Sequence, residues 1–395
     1  MGVDGIAARD SKANAAYSPP IRRRQSLIAL IGLPLVAFLV ARLFLMAVIS
    51  NAGLNPISLR TWELGDSKLY LDIAANGYTL SRSDGSSYPT SAWMGNSGWM
   101  PLYPWMMRGL AHAGIDIHVS AEGLAILFHL LTLILLRGRF LIDVDRRRGF
   151  CCLLWAAFFP GMVYQHAGFP ISLLTFLTLL TFDCILRSRW WTAGLAGFLA
   201  ALSYSTGFLL SPVLGAYVIL TTPSKNWRGM PQLRRALCAI FPLAGIGLVF
   251  LIHQLTVDKW NAFFLVQAKY GHGIHNPMST LFWQIHFYFG NPLYEGLSEH
   301  VLFVAVLVLI SCTWVGITWS RRQNMDRLLA IFACVFWLFP LVMGKGVWPV
   351  RAAATLLPMA PLFRRVPAWV QLSLIVISAV LTAQVVKSML AIPTM

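Results

Sequence analysis

The stretch Ser26–Ile49, SLIALIGLPLVAFLVARLFLMAVI, decides the fold. It exceeds the roughly 20 apolar residues that carry a helix across a bilayer, and Arg42 is its one charged residue. A polar segment with Arg9, Lys12 and the run Arg22-Arg23-Arg24 precedes it. The stretch is too long for the core of a signal peptide, and no small-residue cleavage site follows, so it reads as a retained helix. Runs of the same kind recur near 119–136, 150–168, 171–187, 190–204, 206–221, 236–256, 299–319, 327–343, 346–363 and 367–390. The sequence thus predicts an all-α polytopic membrane protein with about eleven spans, the shorter ones being candidates for re-entrant or half-spans. The region 190–222 is too long for one helix, and Ser203, Ser205, Thr206 and Gly207 offer a turn in its middle.

The whole composition agrees. Of 395 residues, 57% are apolar and 12% are charged, about half the charge of an ordinary soluble domain. Too few charges are available to coat a water-exposed surface, which excludes a soluble enzyme, a disordered tail and a fibrous repeat. The net charge of +16 points in such a chain to anionic membrane lipids as partners, with no nucleic acid. The six cysteines, Cys151, Cys152, Cys184, Cys238, Cys312 and Cys334, lie in or beside apolar runs without CxxC spacing. They read as packing residues rather than as a metal or disulfide framework.

Basic residues fix the orientation. With the N-terminus in the cytoplasm, alternate loops collect Arg137, Arg139, Arg146–Arg148, Arg187, Arg189, Lys225, Arg228, Arg234, Arg235, Arg321, Arg322, Arg327, Arg364 and Arg365, while most acids fall on the other side. The alternation survives every loop only if 190–222 is a helical hairpin. Residues 1–25 then form a cytoplasmic basic tail, and 26–395 form a single transmembrane domain. Two outer segments, 50–118 and 257–298, are too long to be mere connections. Their Trp, Tyr, Phe, Met and Pro content predicts interfacial helices folded against the outer membrane surface.

The first outer loop contains Trp62-Glu63-Leu64-Gly65-Asp66-Ser67-Lys68-Leu69-Tyr70-Leu71-Asp72-Ile73-Ala74-Ala75-Asn76-Gly77-Tyr78. Leu69, Leu71, Ile73 and Ala74 followed by Gly77 predict a short helix closed by a left-handed glycine. Glu63 and Asp66, three apart, would share one face of it. A carboxylate beside the membrane can act as general base toward an acceptor hydroxyl, or simply be a solvated loop acid. Within the spans, Arg42 is placed to reach this site or to snorkel. His129 is expected to bond a neighbouring helix, and Asp183 to pair with Arg187 four residues on. The outer aromatics Trp62, Trp93, Trp99, Trp105, Tyr78, Tyr88 and Tyr103 read first as an interfacial belt. His272 and His275, three apart between glycines, are too few ligands for zinc.

The order Asp66-xxx-Tyr70-Leu71-x-Ile73-Ala74-xx-Gly77-Tyr78 resembles the first-loop signature of the PIG-V-like mannosyltransferases, in the GT-C superfamily of polyprenyl-phosphate-sugar glycosyltransferases. Four further stretches are similar to the family's later motifs, in the same order: Trp99-Met100-Pro101-Leu102-Tyr103-Pro104-Trp105, Ser205-Thr206-Gly207-Phe208, Trp260-Asn261-Ala262-Phe263-Phe264-Leu265-Val266-Gln267-Ala268, and Arg351 before a Pro-rich apolar run. The matches extend from about 60 to 363. The chain departs from the family at Leu69, where a His is usual, and at Tyr204, where an Arg precedes Thr-Gly. Phe169-Pro170-Ile171-Ser172 lacks the family's acid, and Ala352 follows Arg351 in place of Tyr.

The resemblance implies a GT-C-like bundle and an inverting, metal-independent transfer of a sugar, mannose first. The donor would be a polyprenyl-phosphate sugar, which is a substrate, so no cofactor is expected. Asp66 would be the base, with Glu63 assisting or replacing it. Arg351, Lys345, Lys269 and His272 would hold the donor phosphate, with His275 and Lys259 as further candidates. Trp62, Tyr70, Tyr103 and Gln267 would line the acceptor or sugar pocket. The competing readings are a transporter or lipid-linked-sugar translocase, and a catalytically inactive relative. No inverted repeat or matched pair of broken helices favours the transporter. The short chain without an endoplasmic-reticulum retrieval signal points to a bacterial inner membrane ahead of the endoplasmic reticulum.

Overall fold

The computed structural model describes residues 27–222, 230–344 and 346–391. The tail 1–25 and Lys345 lie outside the described residues. Nearly every element is helical: α1 Leu33–Asn51, α2 Ser67–Asn76, α3 Leu102–His112, α4 Ile117–Leu135, α5 Arg146–Ala157, α6 Val163–His166, α7 Ile171–Leu186, α8 Trp190–Ser203, α9 Leu210–Thr221, α10 Met230–Val257, α11 Ala262–Gln267, α12 Pro277–Tyr288, α13 Leu297–Ile317, α14 Asn324–Met343, α15 Pro349–Ala354 and α16 Ala368–Ala391. Between α2 and α3 a two-stranded antiparallel hairpin, β1 Leu80–Arg82 and β2 Trp93–Gly95, pairs Ser81 with Met94. It lies in the loop for which the sequence predicts interfacial helices.

Six helices among the described residues are long and apolar enough to cross a membrane: Ala29–Asn51, Ile117–Phe140, Leu233–Val257, Leu297–Ile317, Asn324–Met343 and Ala368–Met389. The chain is therefore a multi-pass, all-α membrane protein. The expected count of about eleven is not reached by helices of full length. Ile171–Leu186, Trp190–Ser203 and Gly207–Thr221 are apolar but shorter, and the last two form the expected hairpin around Tyr204. The expected spans 150–168 and 346–363 are both interrupted. In the first, α5 stops at Ala157 and the chain turns through Phe159-Pro160-Gly161, with Gly161 at φ +82. Pro160 disfavours helix at the residue before it and offers no amide to continue the ladder. In the second, α15 gives way to a 3-10 segment, Leu357–Phe363, containing Pro358 and Pro361.

The bundle is held at both ends. At the end expected to be cytoplasmic, the buried Arg364 donates to Asp326 of α14 at 2.5 Å, and Arg365 donates to Asp143 at 2.7 Å. Asp183 and Arg187 pair at 2.9 Å, as their spacing predicts. At the opposite end the two long outer loops join. Gln267 Nε2 donates to the Gly98 carbonyl at 3.0 Å, and the His275 amide donates to Val342 at 2.8 Å, at the end of α14. Several expected belt aromatics are the core of this outer lobe: Trp62, Trp99 and Tyr103 are buried, whereas Trp105 is exposed.

Two intramembrane expectations are corrected. Arg42 neither snorkels nor reaches the site. Its guanidinium donates to Glu122 of α4 and to the His166 carbonyl at 3.3 Å, and lies 3.5 Å from the Trp62 ring centre. Leaving would strand Glu122 as an unpaired buried carboxylate. His129 makes no hydrogen bond to a neighbouring helix. Its ring stands edge-on to Phe38 and His166, at 5.6 and 4.6 Å, and neither nitrogen has a partner among the described residues.

Candidate active site

The site begins at the first turn of α2. Gly65 takes φ +51, a conformation suited to glycine, and the Ser67 hydroxyl donates back to the Leu64 carbonyl at 2.8 Å. This tight turn makes Asp66 the residue that starts the helix, yet its side chain caps no amide of its own helix. The carboxylate lies at the positive end of the helix dipole and turns instead to Arg351. The Arg351 Nη1 donates to Asp66 Oδ2, across 285 positions of sequence. Both side chains keep about a quarter of their surface open, 23% and 27%, so the pair is reachable from outside.

Arg351 is positioned by α15, which starts with Pro349, a residue suited to a first helical turn, behind the N-terminal residue Trp348. The turn at Gly161 backs it: a Cβ there would lie 2.4 Å from the Val350 carbonyl and 2.8 Å from the Ala354 amide. On the other side the Arg351 guanidinium carbon lies 5.9 Å from the centre of the Phe169 ring. Phe169 is the hub of an aromatic group, with Tyr70 and Tyr164 edge-on at 5.3 Å and Tyr204 at 6.0 Å. Tyr204, Asp66, Tyr164 and Tyr70 all stand close enough to act electrostatically on Arg351.

The second outer loop supplies further cations. Lys269 Nζ lies 3.7 Å from the Met94 sulfur, 5.0 Å from the Tyr270 ring centre and 5.3 Å from that of Tyr88. Burial pushes its ammonium below the ordinary lysine range, and the nearby Asp66 opposes that shift. Burial, with Asp66 next, pushes the Tyr270 phenol up to about 12. Burial also holds His272 below the usual histidine value, and its Nε2 has no partner among the described residues.

The structure therefore brings Asp66, Arg351 and Tyr70 together, with Lys269 and His272 at the rim. Glu63 is not on the helix face of Asp66. It precedes the Gly65 turn, and its carboxylate meets His118 Nδ1 at 2.6 Å. Gly77 ends α2 with φ +88 but ψ −168, an extended rather than left-handed helical closure. Trp62 and Tyr103 spend their polar atoms on backbone carbonyls, those of Pro56 and Ala121, and Gln267 ties the loops together through Gly98. Lys259 lies 5.5 Å from the Trp93 ring, a ring that Arg82 also covers at 3.9 Å, and His275 packs against Gly344. Lys345 is outside the described residues. Tyr164, Phe169 and Tyr204 had not been singled out as site residues. In chemical terms the site is a carboxylate able to accept a proton, set against a guanidinium and an ammonium able to hold an oxyanion.

Fold and site define a helical membrane protein with a carboxylate–guanidinium centre where its two long loops meet. The fold is similar to that of the Archaeoglobus fulgidus oligosaccharyltransferase, crystallised with Zn and sulfate, at a TM-score of 0.50 and 14% identity over 89% of this chain and 53% of that one. The apo form of that protein gives 0.47 and 11% over 90% and 55%. The archaeal oligosaccharyltransferase AglB from the same organism, in complex with an inhibitory peptide and a dolichol-phosphate, gives 0.47 and 12% over 90% and 55%. The chain spans about half the length of these structures. No protein-family model and no curated protein matches it.

Proposed function

We propose that this chain is a membrane glycosyltransferase that moves a sugar, mannose in the first instance, from a polyprenyl-phosphate donor to a lipid, glycan or protein hydroxyl on the extracytoplasmic face. The observation that carries the reading is the contact of Asp66 with Arg351, the two residues to which the family resemblance gives proton abstraction and phosphate binding. Asp66 takes the proton of the acceptor hydroxyl as its oxygen bonds to the anomeric carbon, and the polyprenyl phosphate departs with the electron pair of the broken bond. Attack opposite the leaving group inverts the centre. Arg351, with Lys269 at the rim, meets the phosphate charge, so the step is written without a metal.

The test is transfer of labelled sugar from a short-chain polyprenyl-phosphate mannose to acceptors in membranes carrying the chain. Asp66→Asn is nearly isosteric and should lower the rate by about 10²–10⁴, the ordinary contribution of a general base, while yielding as much folded protein as wild type. Transfer by Asp66→Asn at the wild-type rate would remove Asp66 from the chemistry and turn attention to Glu63.

A further inference from the structure

Two other tyrosines of this lobe spend their hydroxyls on the backbone. Tyr78 donates to the Trp99 carbonyl at 2.8 Å, and Tyr103 donates to the Ala121 carbonyl. Tyr70, Tyr164 and Tyr204 behave differently. They are 1%, 4% and 8% exposed as residues, and their hydroxyls make no hydrogen bond among the described residues, yet none is a sealed, unpartnered atom, so each oxygen keeps some open surface. A tyrosine hydroxyl that keeps open surface is free to donate to a bound oxygen, and all three stand close enough to act electrostatically on Arg351. The three come from three separate parts of the chain, α2, α6 and the turn after α8. All three rings pack on Phe169, over which Arg351 also lies.

We propose that Tyr70, Tyr164 and Tyr204 form, with Arg351, the subsite that grips the phosphate oxygens of the lipid-linked substrate. The inference rests on the glycosyltransferase reading and adds to it the groups that recognise the phosphate. A guanidinium alone satisfies only part of a phosphate diester's oxygen surface. Neutral O–H donors beside it complete the shell without adding charge, which an anion partly withdrawn from water requires. Arg351 donates to the Asp66 carboxylate, so the place beside it already takes an anion.

The experiment measures binding of a short-chain polyprenyl phosphate, without sugar, to the full chain in detergent. Tyr→Phe removes only the hydroxyl and keeps the ring on Phe169. Tyr204→Phe and Tyr164→Phe should each weaken binding by about tenfold, with the double variant weaker still. Tyr78→Phe, which removes a hydroxyl bonded to the backbone, should leave binding unchanged. If both site variants bind as tightly as wild type while Arg351→Ala binds weakly, the phosphate reading stands and the tyrosine subsite is wrong. If wild type binds no polyprenyl phosphate, or Arg351→Ala binds it as well as wild type does, the proposed function itself falls. Should one variant fail to fold, the other two tyrosines are tested singly by the same measurement.

Discussion

Arg351 donates to Asp66, and the two charges neutralise one another. A donor phosphate must take Arg351 from Asp66, which at the same moment frees the carboxylate to accept a proton. Asp66→Asn should therefore bind polyprenyl phosphate more tightly than wild type while losing transfer, since the competing anion is gone. Arg351→Lys keeps the charge and loses the planar fork. Its donor affinity should fall by roughly tenfold, the scale of one lost charge-assisted hydrogen bond, and Arg351→Ala should bind weaker still. Titration with polyprenyl phosphate reads all three. Equal affinity in wild type and Asp66→Asn would mean that the pair does not regulate access to Arg351.

At the scale of elements, the site depends on helices that stop early. The sequence reads 150–168 and 346–363 as spans because their residues are apolar, and apolarity does not reveal where a helix breaks. Pro160 and Gly161 break the first, and the resulting turn supports α15 from below. Gly161→Ala would force a side chain at φ +82 into the Val350 carbonyl. We expect it to cost about 1–3 kcal/mol in unfolding measurements, the range for a strained backbone position, and to weaken polyprenyl phosphate binding by shifting Arg351. Gly215→Ala, in α9 with open space around the glycine, should be neutral or slightly stabilising. A Gly161→Ala protein with wild-type stability and donor affinity would show that the close approach does not hold α15 in place. The same breaks explain which site residues were legible. Asp66 is legible through its spacing to Tyr70 in the family-like motif, and Arg351 as a charge at the start of an apolar run. Phe169 and Tyr204 registered only as departures from a motif, and Tyr164 not at all, because an aromatic within an apolar run looks like packing until the turn that redirects it is known.

Across the whole molecule, the pattern of charges made more of the architecture legible than helix length did. Loops placed on one side by their arginines do meet at one end of the bundle, where Asp143 pairs with Arg365 and Asp326 with Arg364. The two long outer loops meet at the other end, around Asp66 and Arg351. The positive-inside rule expects the arginine-rich end to face the cytoplasm. The prediction is a labelling pattern. Ser86, exposed in the β1–β2 hairpin, and Ser320, exposed between α13 and α14, are replaced singly by cysteine. An impermeant thiol reagent applied to intact cells should modify Ser86→Cys and spare Ser320→Cys until the membrane is opened. The unmodified protein is labelled as the background, since Cys151, Cys152, Cys184 and Cys238 are buried but Cys312 and Cys334 are half-buried. The reverse pattern would put the arginine-rich loops outside and the Asp66–Arg351 site in the cytoplasm. A lipid-linked sugar acting on the extracytoplasmic face could not then reach it, and the donor would have to be sought among cytoplasmic phosphosugars.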